Sequence, residues 1–208
     1  SVEKQSRNVI GMLPGSEAPE EAIVYMAHWD HLGTHEGDAG DNIYNGAVDN
    51  ATGIAGILEI AEAFRKAPTP PKRSVLFLAV TLEESGLLGS KYYVAHPVVP
   101  LDKTVAVFNL DALAPVGRAR DLTVVGKGSS QLEDLLKVVL DRQGRHAEAE
   151  DNTAAGYYFR SDHFNFAKAG VPALYIDSGI DLVEGGKAAG QAAGKAYTEQ
   201  RYHKPGDQ

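Results

Sequence analysis

The chain has 208 residues, 43% of them hydrophobic and 23% charged, which suits one domain with a sizeable core. Its formal charge of -8 comes with no basic stripe, and this argues against a nucleic-acid partner. There are no cysteines, so disulfides, thiolate metal sites and cysteine nucleophiles are excluded together.

The opening stretch, SVEKQSRNVIG, has neither a charged n-region nor an apolar h-region, so it shows no signal peptide. Residues 8–13 read as an edge strand closed by the Pro14-Gly15 turn. Residues 22–27 (AIVYMA) read as a buried strand. Residues 50–66 carry Ile54, Ile57, Leu58, Ala61 and Phe64 at helical spacing, and APTPP stops the helix. Residues 74–80 (SVLFLAV) are continuous and β-branched, as expected of a strand covered on both faces. The apolar run they open, 74–82, is far too short to cross a bilayer, so no membrane insertion is expected. Residues 104–110 (TVAVFNL) and 122–125 read as further strands. A helix follows from Ser129 or Ser130 to about Arg142, with Leu132, Leu135, Leu136 and Val139 facing inward. Ser161 reads as the cap of a third helix reaching Lys168, which Gly170 ends. Residues 172–176 (PALYI) form the last expected strand. Residues 185–196 (GGKAAGQAAGKA) read as a mobile loop or a poorly packed helix without chemistry. The alternation predicts an α/β domain: three αβα layers around a mostly parallel mixed sheet.

Metal-ligand side chains follow the strand-like runs. His28 comes directly after the first buried strand, Glu83 and Glu84 just after 74–80, and Asp111 directly after 104–110. In open α/β sheets, ligands bind beyond the carboxyl ends of the strands. Asp49 lies in GAVDNATG, where small neighbours leave room for an ion, and His203 lies in RYHKPGDQ, which must fold back over the same edge. Taken singly, each has a plain explanation. An Asp before a helix is usually an N-cap, and a Glu pair at a helix start is favourable dipole charge. Those explanations do not account for so many ligand types leaving one sheet edge, where adjacent buried acids without a cation would be costly. His28, Asp49, Glu84, Asp111 and His203 therefore form the expected ligand set of a two-metal hydrolase. Successive residues point different ways, so of Glu83 and Glu84 one can bind metal while the other faces the substrate water. In the H-x-D of AHWDH, the Asp30 carboxylate can accept the second imidazole N–H of His28 and fix its tautomer. An all-nitrogen-and-oxygen set suits two zinc ions, with manganese or cobalt as substitutes.

AHWDHLG, GAVDNATG, TLEESGLLGS, FNLDA, FRSDHFNFAKAGVPA and RYHKPGD together resemble the co-catalytic di-zinc aminopeptidases. The wider family includes glutamate carboxypeptidases and glutaminyl cyclases. The resemblance implies a zinc-exopeptidase (phosphorylase/hydrolase-like) fold. It makes Asp49 the carboxylate bridging both ions, His28 and Asp111 the ligands of one zinc, and Glu84 and His203 those of the other. It makes Glu83 the general base, Tyr202 a phenol that stabilises the oxyanion, and Arg160 a contact to the substrate backbone. His31, His35, His96, His146 and His163 receive no catalytic role, and Asp162 and His163 are expected to shape the pocket wall. The implied substrate is a peptide with a free N-terminus. The alternatives are a single-zinc glutaminyl cyclase-like acyltransferase, a glutamate carboxypeptidase-like enzyme, or a non-catalytic binding domain on the same scaffold. The family core normally continues past the last histidine, and similar members carry an inserted protease-associated domain upstream. Residues 1–208 are thus expected to be a single catalytic domain cut from a longer protein. The same resemblance is the basis for expecting a secreted or periplasmic location.

Overall fold

The computed structural model describes residues 5–35, 37 and 40–208. Its strands are β1 (Val9–Leu13), β2 (Ala18–His28), β3 (Gly33–Thr34), β4 (Ile43–Tyr44), β5 (Arg73–Val80), β6 (Thr104–Leu110), β7 (Asp121–Val125), β8 (His146–Ala149) and β9 (Ala173–Ser178). Its helices are α1 (Thr52–Lys66), α2 (Leu88–Ala95), α3 (Leu132–Arg142), α4 (His163–Lys168) and α5 (Gly186–Gln200). Seven strands form one sheet in the order β1-β5-β2-β6-β9-β7-β8, and β3 pairs with β4 as a small separate ribbon. The central neighbours β5, β2, β6 and β9 are all parallel. β1 and β7 run antiparallel to their partners β5 and β9, so the sheet is mixed, as the sequence predicts.

Side-chain alternation along β6 divides the two faces. Ala106, Phe108 and Leu110 face α1 and α3, where they meet Ile57 of α1 and Leu132 and Leu136 of α3. Val107 faces the other way, into a cluster with Tyr93 of α2 and Phe166 of α4. Helices therefore cover both faces, which explains why β5 is apolar from Val75 to Val80: Val75, Leu76, Leu78 and Val80 are all buried.

The structure departs from the sequence reading at several elements: α2 and β8 are not among the expected ones, α3 starts at Leu132, and Leu135 and Val139, expected to face inward, are exposed. The helix expected from residue 50 begins at Thr52, because Asp49 and Asn50 have non-helical backbone angles inside an irregular turn at Ala47–Ala51. Ser161 caps nothing: its hydroxyl donates to Asp111, and α4 starts without a side-chain cap. Of the two readings of residues 185–196, the poorly packed helix holds: residues 186–200 form α5, on which only Gly190 is buried. Alanine supplies helix propensity without large apolar groups, and Gly190 lets the helix lie directly on the Ile180 carbonyl, where a Cβ would collide. No helix among the described residues is long and apolar enough to cross a membrane.

Candidate metal centre

Strand register brings the first ligands level. β2 and β6 pair in parallel with Met26 opposite Asn109, so two residues further on His28 and Asp111 leave the sheet side by side. On its other flank His28 pairs with Val80 of β5, and Glu83 and Glu84 follow just past that strand end. Asp49 reaches the same edge from the turn before α1. Asn50 pins that turn: its amide donates to the Leu110 carbonyl at 2.9 Å, and its Oδ1 accepts from Gly53 at 3.0 Å and Ala112 at 3.1 Å. Gly53 has to be glycine, since a Cβ there would run into Asn50 and the Leu110 carbonyl. The tail after α5 turns back so that His203 arrives from above, at a φ of 55° that non-glycine residues rarely adopt.

The donor atoms converge. His28 Nε2 lies 3.1 Å from Asp49 Oδ1 and 3.2 Å from Asp111 Oδ1. The other oxygen of Asp49, Oδ2, lies 3.2 Å from His203 Nε2, which is itself 3.3 Å from Glu84 Oε2. Asp49 thus stands between two groups of donors and turns one oxygen toward each. His28, Asp49 and Asp111 are buried, and their ligand atoms lie within 4.8 Å of one another. Asp49, Glu84 and His31 form a second group within the same limit. Asp49 is not an N-cap, because α1 begins with no side-chain cap bond.

A profile of Peptidase family M28 matches residues 8–208. The chain belongs to Peptidase family M28. Among the relatives it resembles, leucine aminopeptidase 2 of Trichophyton rubrum is 31% identical over 213 residues, covering 96% of this chain and 39% of that protein. Aminopeptidase YwaD of Bacillus subtilis is 29% identical over 178 residues, covering 80% of this chain and 34% of its own length. Among solved structures, the zinc aminopeptidase BSAP from Bacillus subtilis superposes with a TM-score of 0.64 at 23% identity, over 92% of this chain and 50% of that one. This M28 chain therefore spans half or less of the length of these proteins.

The electrostatics of this M28 site show what it is built to hold. Burial alone would lower the pKa of His28, but the Asp111 and Asp49 carboxylates beside it push it up to about 12. Burial pushes Glu83 up to about 9; His28 pulls against that, and Asp111, Asp162 and Glu84 add to it. A cluster so rich in acid keeps protons unless cations take their place. His31 Nδ1 and Nε2 and Glu84 Oε1 are buried without hydrogen-bond partners. Buried polar atoms are rarely left so unless an ion or water serves them. The residues therefore fit divalent metal, and the nitrogen-and-oxygen donors fit zinc.

The surrounding residues are placed as follows. His28 Nδ1 lies 3.0 Å from the main-chain oxygen of Asp30, which turns Nε2 toward Asp49 and Asp111. The expectation that the Asp30 carboxylate does this is corrected: its Oδ1 is 3.8 Å away and instead accepts the Glu83 main-chain N–H at 3.1 Å. An i+2 carbonyl in a tight turn reaches the ring more directly than the side chain does. Glu83, Tyr202 and Arg160 line a cleft of about 870 Å³ that opens over the donors. Tyr202 stacks on the His203 ring with centroids 3.9 Å apart, and burial pushes its phenol well above the usual value. The Arg160 guanidinium sits over the Tyr157 ring, 5.6 Å from its centroid. Asp162 and His163 do not line the cleft. Both are fully buried behind it, where Asp162 accepts from Ser90 at 2.5 Å and His163 packs against Tyr175. His35 stacks on Tyr44.

Three residues escape the sequence reading. Ser161 donates to Asp111 Oδ2 at 2.5 Å and accepts from Asn109, so it orients the Asp111 carboxylate. Asp207, fully buried, accepts the Val48 and Asp49 main-chain N–H groups, each at 3.0 Å. His31 lies 2.8 Å from Glu84. Only the second histidine in AHWDH offered a signal for any of them.

Proposed function

We propose that this chain is the catalytic domain of a two-zinc aminopeptidase that hydrolyses the N-terminal residue from peptides. The observation that carries the proposal is Asp49, with Oδ1 facing His28 at 3.1 Å and Oδ2 facing His203 at 3.2 Å. A carboxylate shared in this way serves two cation positions, and a single-ion acyltransferase has no use for the second. His28, Asp111 and Asp49 would hold one ion, and Glu84, His203 and Asp49 the other. Bound there, such ions supply Lewis acidity for the scissile carbonyl and a water acidic enough to attack near neutral pH.

The chain's own residues do the rest. Glu83 takes a proton from the attacking water and passes it to the departing amine. Asp30 anchors the Glu83 main chain and so keeps its carboxylate over the cleft. Tyr202 stays protonated and donates a hydrogen bond to the carbonyl oxygen as charge builds there. Arg160 holds the peptide backbone. The surrounding carboxylates favour a cationic α-amino group, and Arg160 and Lys187 are the only arginine and lysine side chains among the described residues that line the cleft, so a free N-terminus suits the site better than a free carboxylate. Glu83→Gln should lower kcat/KM on aminoacyl-nitroanilides by about 10²- to 10⁴-fold while bound zinc stays constant. Wild-type turnover in that variant would remove Glu83 from the mechanism.

A further inference from the structure

We infer that His31 is a direct ligand of the metal position formed by Asp49, Glu84 and His203, so that this position carries a pair of imidazoles. The inference rests on the metal-centre reading above and extends it to a residue that the ligand set from His28 to His203 leaves out.

The contact with Glu84 is a short but poorly aligned ion-pair approach. His31 Nδ1 is 2.8 Å from Glu84 Oε1, and both atoms are buried without a well-aligned hydrogen-bond partner. A close N···O approach whose N–H direction misses the oxygen is what two groups aimed at a common third point produce. The carboxylate of Glu84 turns Oε1 to His31 at 2.8 Å and Oε2 to His203 at 3.3 Å, so it lies between the two rings. The rings of His31 and His203 meet edge-on with centroids 5.8 Å apart. Two imidazoles on one zinc, each with a Zn–N bond of about 2.0–2.1 Å, place their centroids roughly 5–6 Å apart.

The local chain is built to bring His31 there. The side chain of His31 is only 7% exposed, against 35% for His203, so it is the better enclosed of the two. Gly46 packs on it: at its φ of 67° a Cβ would stand 2.7 Å from His31 Cγ and 2.5 Å from the Asp49 carbonyl oxygen. The turn carrying Asp49 and the loop carrying His31 therefore close on each other only because residue 46 has no side chain. The two cation positions are then unequal. One has His28 with Asp49 and Asp111, and the other has both His31 and His203 with Asp49 and Glu84.

The test is made on stripped protein reloaded with metal and does not depend on turnover. In wild-type protein loaded with ¹¹³Cd and ¹⁵N-labelled at histidine, His31 Nδ1 should show a ¹¹³Cd–¹⁵N coupling. Coupling at His28 and His203 with none at His31 would overturn the inference and leave the two-ion reading intact. No coupling at any of the three would defeat that reading as well, and this inference with it. Calorimetric zinc titration of His31→Ala should retain one binding event at wild-type affinity, which also shows that the fold is intact. The other event should weaken at least tenfold. Two unchanged events would overturn the inference.

Discussion

His163 shows how one residue can be buried beside a charged site without belonging to it. Its ring is fully buried between Tyr158 and Tyr175, with centroids 4.8 and 4.9 Å away, and neither nitrogen has a well-aligned hydrogen-bond partner. Burial pushes its pKa down to about 4, and the Asp111 charge and the Tyr158 main chain offset only part of that. The unfolded chain takes up the same proton near its ordinary value of about 6.5. Between those values the unfolded state binds more protons, so this residue's contribution is intact above about pH 6.5 and is lost as pH falls toward 4. The loss amounts to about 3 kcal/mol for the isolated effect. Urea midpoints of wild type and His163→Phe, measured from pH 7.5 to 4.5, should diverge, with the wild type falling more steeply. Parallel curves would show that His163 finds a proton acceptor in the fold. The sequence gives no sign of this role, because a histidine beside an aspartate reads the same whether it faces a ligand or a phenol ring.

At the scale of elements, the tail after α5 matters most. α5 packs weakly, yet its end turns the chain so that Tyr202 and Arg201 both donate to the Tyr197 carbonyl, at 2.9 and 2.8 Å. Five residues later Asp207 closes on the turn that carries Asp49, with both oxygens occupied by main-chain N–H groups. The tail therefore contributes His203 directly and fixes Asp49 indirectly. Asp207→Ala would leave two buried donors unpaired and should cost about 2–3 kcal/mol. On the proposed two-ion arrangement it should also weaken metal binding, because Asp49 turns one oxygen to His28 and the other to His203. Asp207→Asn keeps one acceptor oxygen and should lose less. Thermal melts with and without zinc check both variants, and an Asp207→Ala protein as stable as wild type would contradict the clamp. The hydrophobic pattern left α5 open between a loop and a poorly packed helix for a physical reason: the pattern reports burial, and this helix buries almost nothing.

For the molecule as a whole, the acidic cluster predicts that metal and fold are linked. Asp49, Glu84 and Asp111 converge from the turn before α1, the segment after β5 and the end of β6, and His203 joins them from the tail. Cations held among them would together tie these four parts of the chain, and the unfolded chain has no such site. Zinc at a hundred times its Kd should then add about 2.7 kcal/mol per ion. For a domain of this size each kcal/mol raises Tm by about 2–4 °C. Scanning calorimetry with zinc and with a chelator should differ by several degrees, and identical transitions would mean that the site stays empty in solution.

What sequence alone determined is the part governed by local pattern. The runs 74–80 and 104–110 are strands because continuous β-branched and apolar residues demand cover on both faces. The acids and imidazoles at their ends are legible because strand ends in a parallel sheet face one edge. Tertiary structure decided the rest. It assigned the His28 tautomer to a carbonyl, turned Ser161 from a cap into a support for Asp111, carried Asp207 back to residues 48 and 49, and set His31 against Glu84. Those contacts join atoms far apart in the chain or run through main-chain groups that every residue shares. Neither periodicity nor spacing carries a trace of them, and only the closed fold gives each group its partner.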